Sequence, residues 1–417
     1  MRKILVITSW APPAVGGPQN LYNLFSQFPD NSYCLLTSYY GIDNYSAQNG
    51  TWLKGKYIFY DNPKFIDSPE TRSLVSKESR GRHTINELKH LIKRMALLKI
   101  LLGPALIFSQ IFMIIREGIK TIKKEKIEIM VGISDFGQAM ISTYFLHKIT
   151  KKPYYLYLFD IYAGNYYVFP GGILARIFEK PIFEKAEKII VTNNGTKDFY
   201  ARKYGEIMGN KIFVAYNSVF SKPYLDQKIS KYDPKPPYTI IFTGKVYWAQ
   251  IGALKNLVKA VNELDMDVKL KIYSPSPKDY LKSIGIEAGD KIEISVAPPQ
   301  DMPKIQSSAD ILFLPLSWNT KSPQIIATAT PGKLTDYLIA GRPILIHAPK
   351  DTALVKYARK KNFAVVVDEN SVLKLKEGIK KTLTDVKNSR AIIKNAREAF
   401  FENHDAEENA KKFKLLF

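Results

Sequence analysis

A single cysteine, Cys34, occurs in 417 residues. That excludes an intrachain disulfide framework and a cysteine-rich metal site, and it fits a reducing, cytoplasmic setting. Histidine is scarce as well: the five, at positions 83, 90, 147, 347 and 404, show no ligand spacing, so a zinc site is not expected. No G-x-x-x-x-G-K-[ST] stretch exists, which leaves P-loop kinase or ATPase chemistry without support. Acidic residues are few beside basic ones, 39 against 61, for a net charge of +22. Such an excess points to an anionic partner: nucleic acid, acidic lipid or a phosphorylated ligand. Long apolar runs are short of what a membrane span needs. The opening "MRKILVITSWAPP" has too brief an apolar stretch for a signal-peptide core and reads as a first strand. The run "ILLGPALIFSQIFMII" (100–115) has sixteen uncharged residues, where a span takes about 20. Extension back over Lys99 to Met95 reaches that length, so hydropathy alone is ambiguous. Topology decides: strands on both sides of it in one sheet require the chain to return to the same side, which one span cannot do. A buried or interfacial helix is expected instead.

What is present is an alternation. Apolar runs bounded by turn residues read as strands: "KILVITS", "SYCLLTS", "KYIFY", "IEIMVGIS", "PYYLYLFD", "KIIVTN" and "KIFVAYN" in the first half; "YTIIFTG", "VKLKIYS", "KIEISV", "ADILFLPL", "RPILIHA" and "FAVVVD" in the second. Amphipathic stretches lie between them. Nearly continuous apolar strands alternating with helices predict parallel sheets covered on both faces. The expected fold is α/β, with two Rossmann-like domains facing across a cleft. The N-terminal domain is expected over 1–220, with a basic, apolar membrane-facing segment at 80–126. A polar linker follows at 221–237, a C-terminal domain at 238–395, and a C-terminal helix at 396–417 that packs back on the first domain. In this architecture ligands bind beyond the carboxyl ends of the strands.

One such place is "TATPGKLTDYLIAGRPIL". Thr330 is suited to cap a helix, Pro331 to its first position, and Gly341 to its end. Leu334 and Leu338 share one face; Lys333 and Asp336 share another. Free N–H groups near Gly332, with Lys333 and the Thr330 hydroxyl, make an anion site suited to a diphosphate. Asp336, one turn on, can accept two hydrogen bonds from a ribose diol. On spacing alone, an amphipathic helix with solvated Lys333 and Asp336 explains the stretch equally well. At "AVGGPQ", Gly16 and Gly17 open the first helix and allow close backbone approach to a phosphate or sugar; a mobile turn is the competing explanation. The Asp265-x-Asp267 pair in "LDMD" reads as a solvated turn.

"PGKLTDYLIAGRPIL" resembles the "P-S-K-L-x-E-Y-L-A-x-G-x-P-I-L" segment of glycosyltransferases of the GT-B fold, family 4. "ITSWAPPAVGGPQNL" is similar to that family's first strand and glycine-rich loop. "TIIFTGKVYWAQIGALKNLVKAV" is similar to the opening of its second domain, and "PYYLYLFDIYAG" to the segment before the cleft. The matches run in order from residue 4 to about 350. The chain also departs from the pattern. The family's pair of glutamates would fall on Thr328 and Asp336, so the first acid is missing and the second is one methylene shorter. Lys245 stands where the family has an Arg on the donor phosphates, and the family's second phosphate lysine has no clear counterpart, a gap Lys333 is placed to fill.

The resemblance implies a metal-independent, retaining glycosyltransferase with no cofactor. The donor would be a nucleotide-diphosphate-sugar, bound by Gly16, Gly17, Lys245, Thr330, Gly332, Lys333 and Asp336. Asp160 would lie nearest the anomeric carbon and, with Lys245, form the catalytic pair. The acceptor would be a glycan or a polyprenyl-linked acceptor, since relatives build cell-surface polysaccharide or glycolipid from membrane-bound acceptors. The protein would work as a peripheral protein on an anionic membrane surface, at the inner face of the cell membrane. Eleven Lys or Arg against three Glu between Arg80 and Lys126 suit such a surface. A nucleotide-sugar epimerase of the same fold is one rival. A non-enzymatic basic protein binding acidic lipid or nucleic acid is the other, although nucleic acid is not the expected partner.

Overall fold

The computed structural model describes residues 1–14, 16–42, 51–62, 65–66, 96–165, 170–227 and 229–417. The basic segment expected at 80–126 therefore lies outside the described residues from 80 to 95. The chain forms two compact units: Met1–Tyr216 with Glu407–Phe417, and Asn217–Ala406. The stretch at 221–237, expected as a linker, belongs to the second unit. Of the expected C-terminal piece at 396–417, only Glu407–Phe417 joins the first. The reason is packing: Ala396, Ala399 and Phe400 sit in the second unit's core, whereas Phe413 sits in the first unit's.

Unit 1 is built on an eight-stranded sheet in the order β4-β3-β2-β1-β5-β6-β7-β8. The strands are β1 (Ile4–Ile7), β2 (Tyr33–Thr37), β3 (Lys56–Phe59), β4 (Phe65–Ile66), β5 (Ile129–Ile133), β6 (Tyr154–Leu158), β7 (Lys188–Val191) and β8 (Ile212–Val214). All pairings are parallel except the short β3–β4 pair. β1, β2, β5 and β6 are buried at every position, as strands covered on both faces must be. The chain's last residues close this core. Phe413 lies 5.3 Å from Phe25 and 5.9 Å from Phe28 between ring centroids. Arg2 N–H donates to the Phe417 carbonyl at 3.2 Å, and the Tyr155 hydroxyl to that of Leu416 at 2.8 Å.

The ambiguous run lies on one long helix, Ala96–Lys124. No helix among the described residues is long and apolar enough to cross a membrane. One side of it, with Ile107, Ile111, Ile114 and Ile122, is buried. Gly118 allows that side to close on Leu146: a Cβ there would stand 2.7 Å from the leucine side chain. The other side leaves Phe108 and Phe112 54% and 65% exposed, followed at four-residue steps by Arg116, Lys120 and Lys124. The alternatives of core and surface are therefore two faces of the same helix.

Unit 2 carries a six-stranded, wholly parallel sheet in the order β11-β10-β9-β12-β13-β14. Its strands are β9 (Tyr238–Thr243), β10 (Val268–Tyr273), β11 (Ile292–Ser295), β12 (Ile311–Pro315), β13 (Ile344–His347) and β14 (Ala364–Val367). This is the doubly wound order. Its direction reverses between β9 and β12, and between β1 and β5 in unit 1. Ligands of such sheets sit beyond the carboxyl ends of the strands at that reversal.

Candidate functional site

In unit 2 the reversal is marked by Gly244, which leaves β9 with φ +101°. The Lys333 side chain lies beside it, with Cε 3.4 Å and Nζ 3.7 Å from the position a Cβ would take, at ordinary contact distance. Lys333 opens the helix Lys333–Ile339, and its ammonium reaches back over the end of β9. It lies 4.2 Å above the centroid of the Phe242 ring, a cation–π contact. Gln250, buried at the end of the β9 loop, orients its amide so that the oxygen accepts from Lys333 Nζ at 2.9 Å. Its nitrogen donates to the Lys245 carbonyl at 3.1 Å. One amide therefore couples the two lysines. Burial pushes the half-buried Lys333 ammonium down to about 7, against the pull of Asp336. Among the described residues no carboxylate lies within ion-pair reach of this ammonium.

Asp336 does not stand open to solvent as the sequence suggests. Its Oδ1 is 2.9 Å from the Tyr224 hydroxyl, which is also 2.7 Å from Gln306 Oε1. Gln306 Nε2 donates to Thr243 Oγ1 at 3.2 Å, and Thr243 in turn meets the Tyr337 hydroxyl through both its N–H and its Oγ1. The network ties the start of unit 2, the end of β9 and the Lys333–Ile339 helix to one another. Burial pushes the Asp336 carboxyl up to about 6, opposed by the Tyr224 hydrogen bond and by Lys333. The Tyr224 hydrogen bond falls on Oδ1.

The capping role expected of Thr330 is corrected. The helix begins two residues later than that role requires, with Gly332 at its N-cap and no side-chain cap. The Thr330 carbonyl instead accepts from Asn217 Nδ2 at 3.2 Å, which holds the preceding segment extended. Gly332 is exposed and open on all sides, so its backbone is approachable. Thr328, at the missing acid, is buried and turns its hydroxyl onto the Gln324 and Ile325 carbonyls of its own helix. Lys245 is exposed just past Gly244. Tyr247 is exposed, while Trp248 packs against the unit's core.

Gly16, Gly17 and Asp160 belong to unit 1, so they are not brought together with the lysines inside one unit. Gly16 has φ +89°, which favours glycine, and is exposed. Gly17 answers to packing: a Cβ there would come within 2.6 Å of the Phe159 ring. Asp160 is exposed beyond the end of β6. The loop that follows it is held from behind by Glu179, which accepts from Ala163 N–H at 2.6 Å and pairs with Lys203. The reading of the sequence missed Asp135, the anchor of the β1 loop. Its Oδ2 accepts from Thr8 Oγ1 at 2.7 Å, from Trp10 N–H at 3.2 Å and from Ser9 N–H, and its Oδ1 from Phe136 N–H at 2.6 Å. An apolar strand ending in Ser-Asp was the available signal. His347 and His404 are buried, bonded to the backbone carbonyls of Val367 and Asn217, and burial pushes both down to about 4. No cluster of His, Cys, Asp and Glu that could hold a metal ion occurs among the described residues.

No family model and no curated protein sequence matches the chain. Solved structures do, over its whole length. Sucrose-phosphate synthase from Thermosynechococcus elongatus superposes with a TM-score of 0.66 at 12% identity, covering 100% of this chain and 98% of that one. Anabaena HepE, in a complex with UDP and glucose, gives 0.62 at 11% identity and covers 100% and 99%. The UDP-GlcNAc 2-epimerase of Methanocaldococcus jannaschii gives 0.53 at 13% identity and covers 99% and 98%. The shared feature is the GT-B fold, which this chain has.

Proposed function

We propose that the protein is a glycosyltransferase that takes a sugar from a nucleotide-diphosphate-sugar. The observation that carries the reading is the Lys333 ammonium, held by Gln250 and Phe242 at the strand reversal of unit 2 with no carboxylate partner among the described residues. Breaking the bond from the anomeric carbon to the β-phosphate oxygen builds charge on the leaving diphosphate. Lys333, Lys245 and the N–H groups beside Gly332 are the groups to stabilise it. Asp336 takes the ribose through its second oxygen. The acceptor hydroxyl oxygen bonds to the anomeric carbon and its proton passes to the departing phosphate. Transfer is then retaining and needs neither a strong base nor a metal, and Asp160 serves to orient the acceptor. The complex of HepE with UDP and glucose supports a uridine donor. The acceptor is a glycan or a lipid-linked acceptor, in cell-surface polysaccharide or glycolipid synthesis. The exposed Phe108 and Phe112, continued by three basic residues, support docking on the anionic inner face of the cell membrane.

The test is thermal-shift binding of UDP, GDP, CDP, ADP and dTDP, without added metal, to the wild type and to Lys333→Ala. One nucleotide, UDP first, is expected to raise the melting temperature, and the variant to lose that response. No response to any nucleotide would remove this reading in favour of a basic protein that binds lipid or nucleic acid.

A further inference from the structure

The strand reversal of unit 1 carries a feature that the donor chemistry leaves unused. β1 pairs with β5 so that Ile7 faces Gly132, and β5 with β6 so that Ile133 faces Tyr157. The loops after these three strands therefore leave the sheet side by side, and they carry Trp10, Phe136 and Asp160 in a row. Asp135 pins the first two loops together through its hydrogen bonds from Thr8, Ser9 and Trp10, and Ser134 Oγ accepts from Phe159 N–H at 3.1 Å to join the second to the third. Trp10 and Phe136 are thereby held with ring centroids 6.1 Å apart and planes 35° from each other. Phe136 is 53% exposed in spite of this anchoring. An exposed ring on a fixed backbone adds little to the core, and leaving it in water has a cost. With strands about 4.8 Å apart, the row is about 10 Å wide.

We propose that Trp10 and Phe136 form the face on which the terminal sugar of the acceptor lies, with Asp160 accepting from a hydroxyl at its rim. This rests on the transferase reading above. A pyranose has an apolar C–H face and a polar edge, which complements two aromatic rings ending in a carboxylate. A hydrocarbon chain laid along the same row would strip water from Asp160 without giving it a partner. The acceptor class is therefore saccharide at the point of attack, whatever carries it.

Saturation-transfer NMR with methyl glycosides of glucose, galactose, mannose, N-acetylglucosamine and rhamnose tests the assignment. At least one is expected to receive saturation on its ring C–H protons. Phe136→Ala is expected to weaken that binding by about tenfold, the loss of one aromatic contact. Ile207→Ala, at another exposed apolar residue of unit 1, should leave it unchanged. The UDP thermal response is read on the same variants and should persist. If no glycoside binds, or Phe136→Ala binds equally well, the assignment is overturned while the UDP response keeps the transferase reading. If Phe136→Ala loses affinity only for vesicles, the face belongs to lipid and the assignment is also overturned. Glycoside binding without any nucleotide response would remove the transferase and, with it, the assignment of this face to an acceptor.

Discussion

Lys333 combines two conditions that oppose each other in the free protein. It is a cation, and it sits where burial lowers its proton affinity to about 7 from the usual 10.5. An arriving diphosphate reverses that balance, since an anion favours the charged form. Binding of UDP at pH 8 should therefore take up a proton. Calorimetry in two buffers of different ionisation enthalpy should show it, and Lys333→Ala should abolish it. Equal apparent enthalpies in both buffers would count against Lys333 as the phosphate contact. The signs for stability differ between the two neighbours. Asp336, raised to about 6 from 3.8, adds stability below 3.8 that is lost as pH rises through 6. Lys333, lowered, adds stability above 10.5 that is lost as pH falls through 7. The lysine and the aspartate were legible in the sequence because they lie three residues apart on one helix. Tyr224 and Gln250 were not. Tyr224 is 112 residues from Asp336, in a stretch that reads as a linker, and a buried amide leaves no periodic trace.

Among the elements, strands were the most legible, because a strand covered on both faces must be apolar throughout. Helix starts were less so. Thr330 has the chemistry of a cap, but the helix starts two residues later, with Gly332 at the N-cap, beyond the position a Thr330 cap serves. The helix Ala96–Lys124 shows a different limit. Its composition says apolar and basic, while only its packing says which face is which. Phe108 and Phe112 are expected to enter the interface of an anionic bilayer, each a sizeable apolar area. The double change Phe108→Ser with Phe112→Ser should weaken sedimentation with phosphatidylglycerol vesicles by about tenfold or more. It should leave the melting temperature unchanged, because both rings are already in water. Undiminished sedimentation would mean that this face does not meet the membrane.

At the scale of the whole molecule, unit 2 is one continuous stretch of chain and unit 1 is two. The second piece is short but sits deep: Phe413 is fully buried among Phe25, Phe28 and Tyr157. Deleting residues 413–417 should cost unit 1 at least about 3–5 kcal/mol, the scale of losing one buried phenylalanine, because the Leu416 and Phe417 contacts go with it. Unit 2 should keep its response to UDP, and calorimetry should show one transition lowered and the other intact. A loss of both would make the units a single cooperative body. The same interruption has a bearing on how the protein is made. A growing chain has its first 216 residues in hand long before it has residues 407–417. Domains of a nascent chain usually fold in the order of synthesis. Here the later unit is complete first, and the earlier one waits, with the seat of Phe413 open, until residues 407–417 have been made.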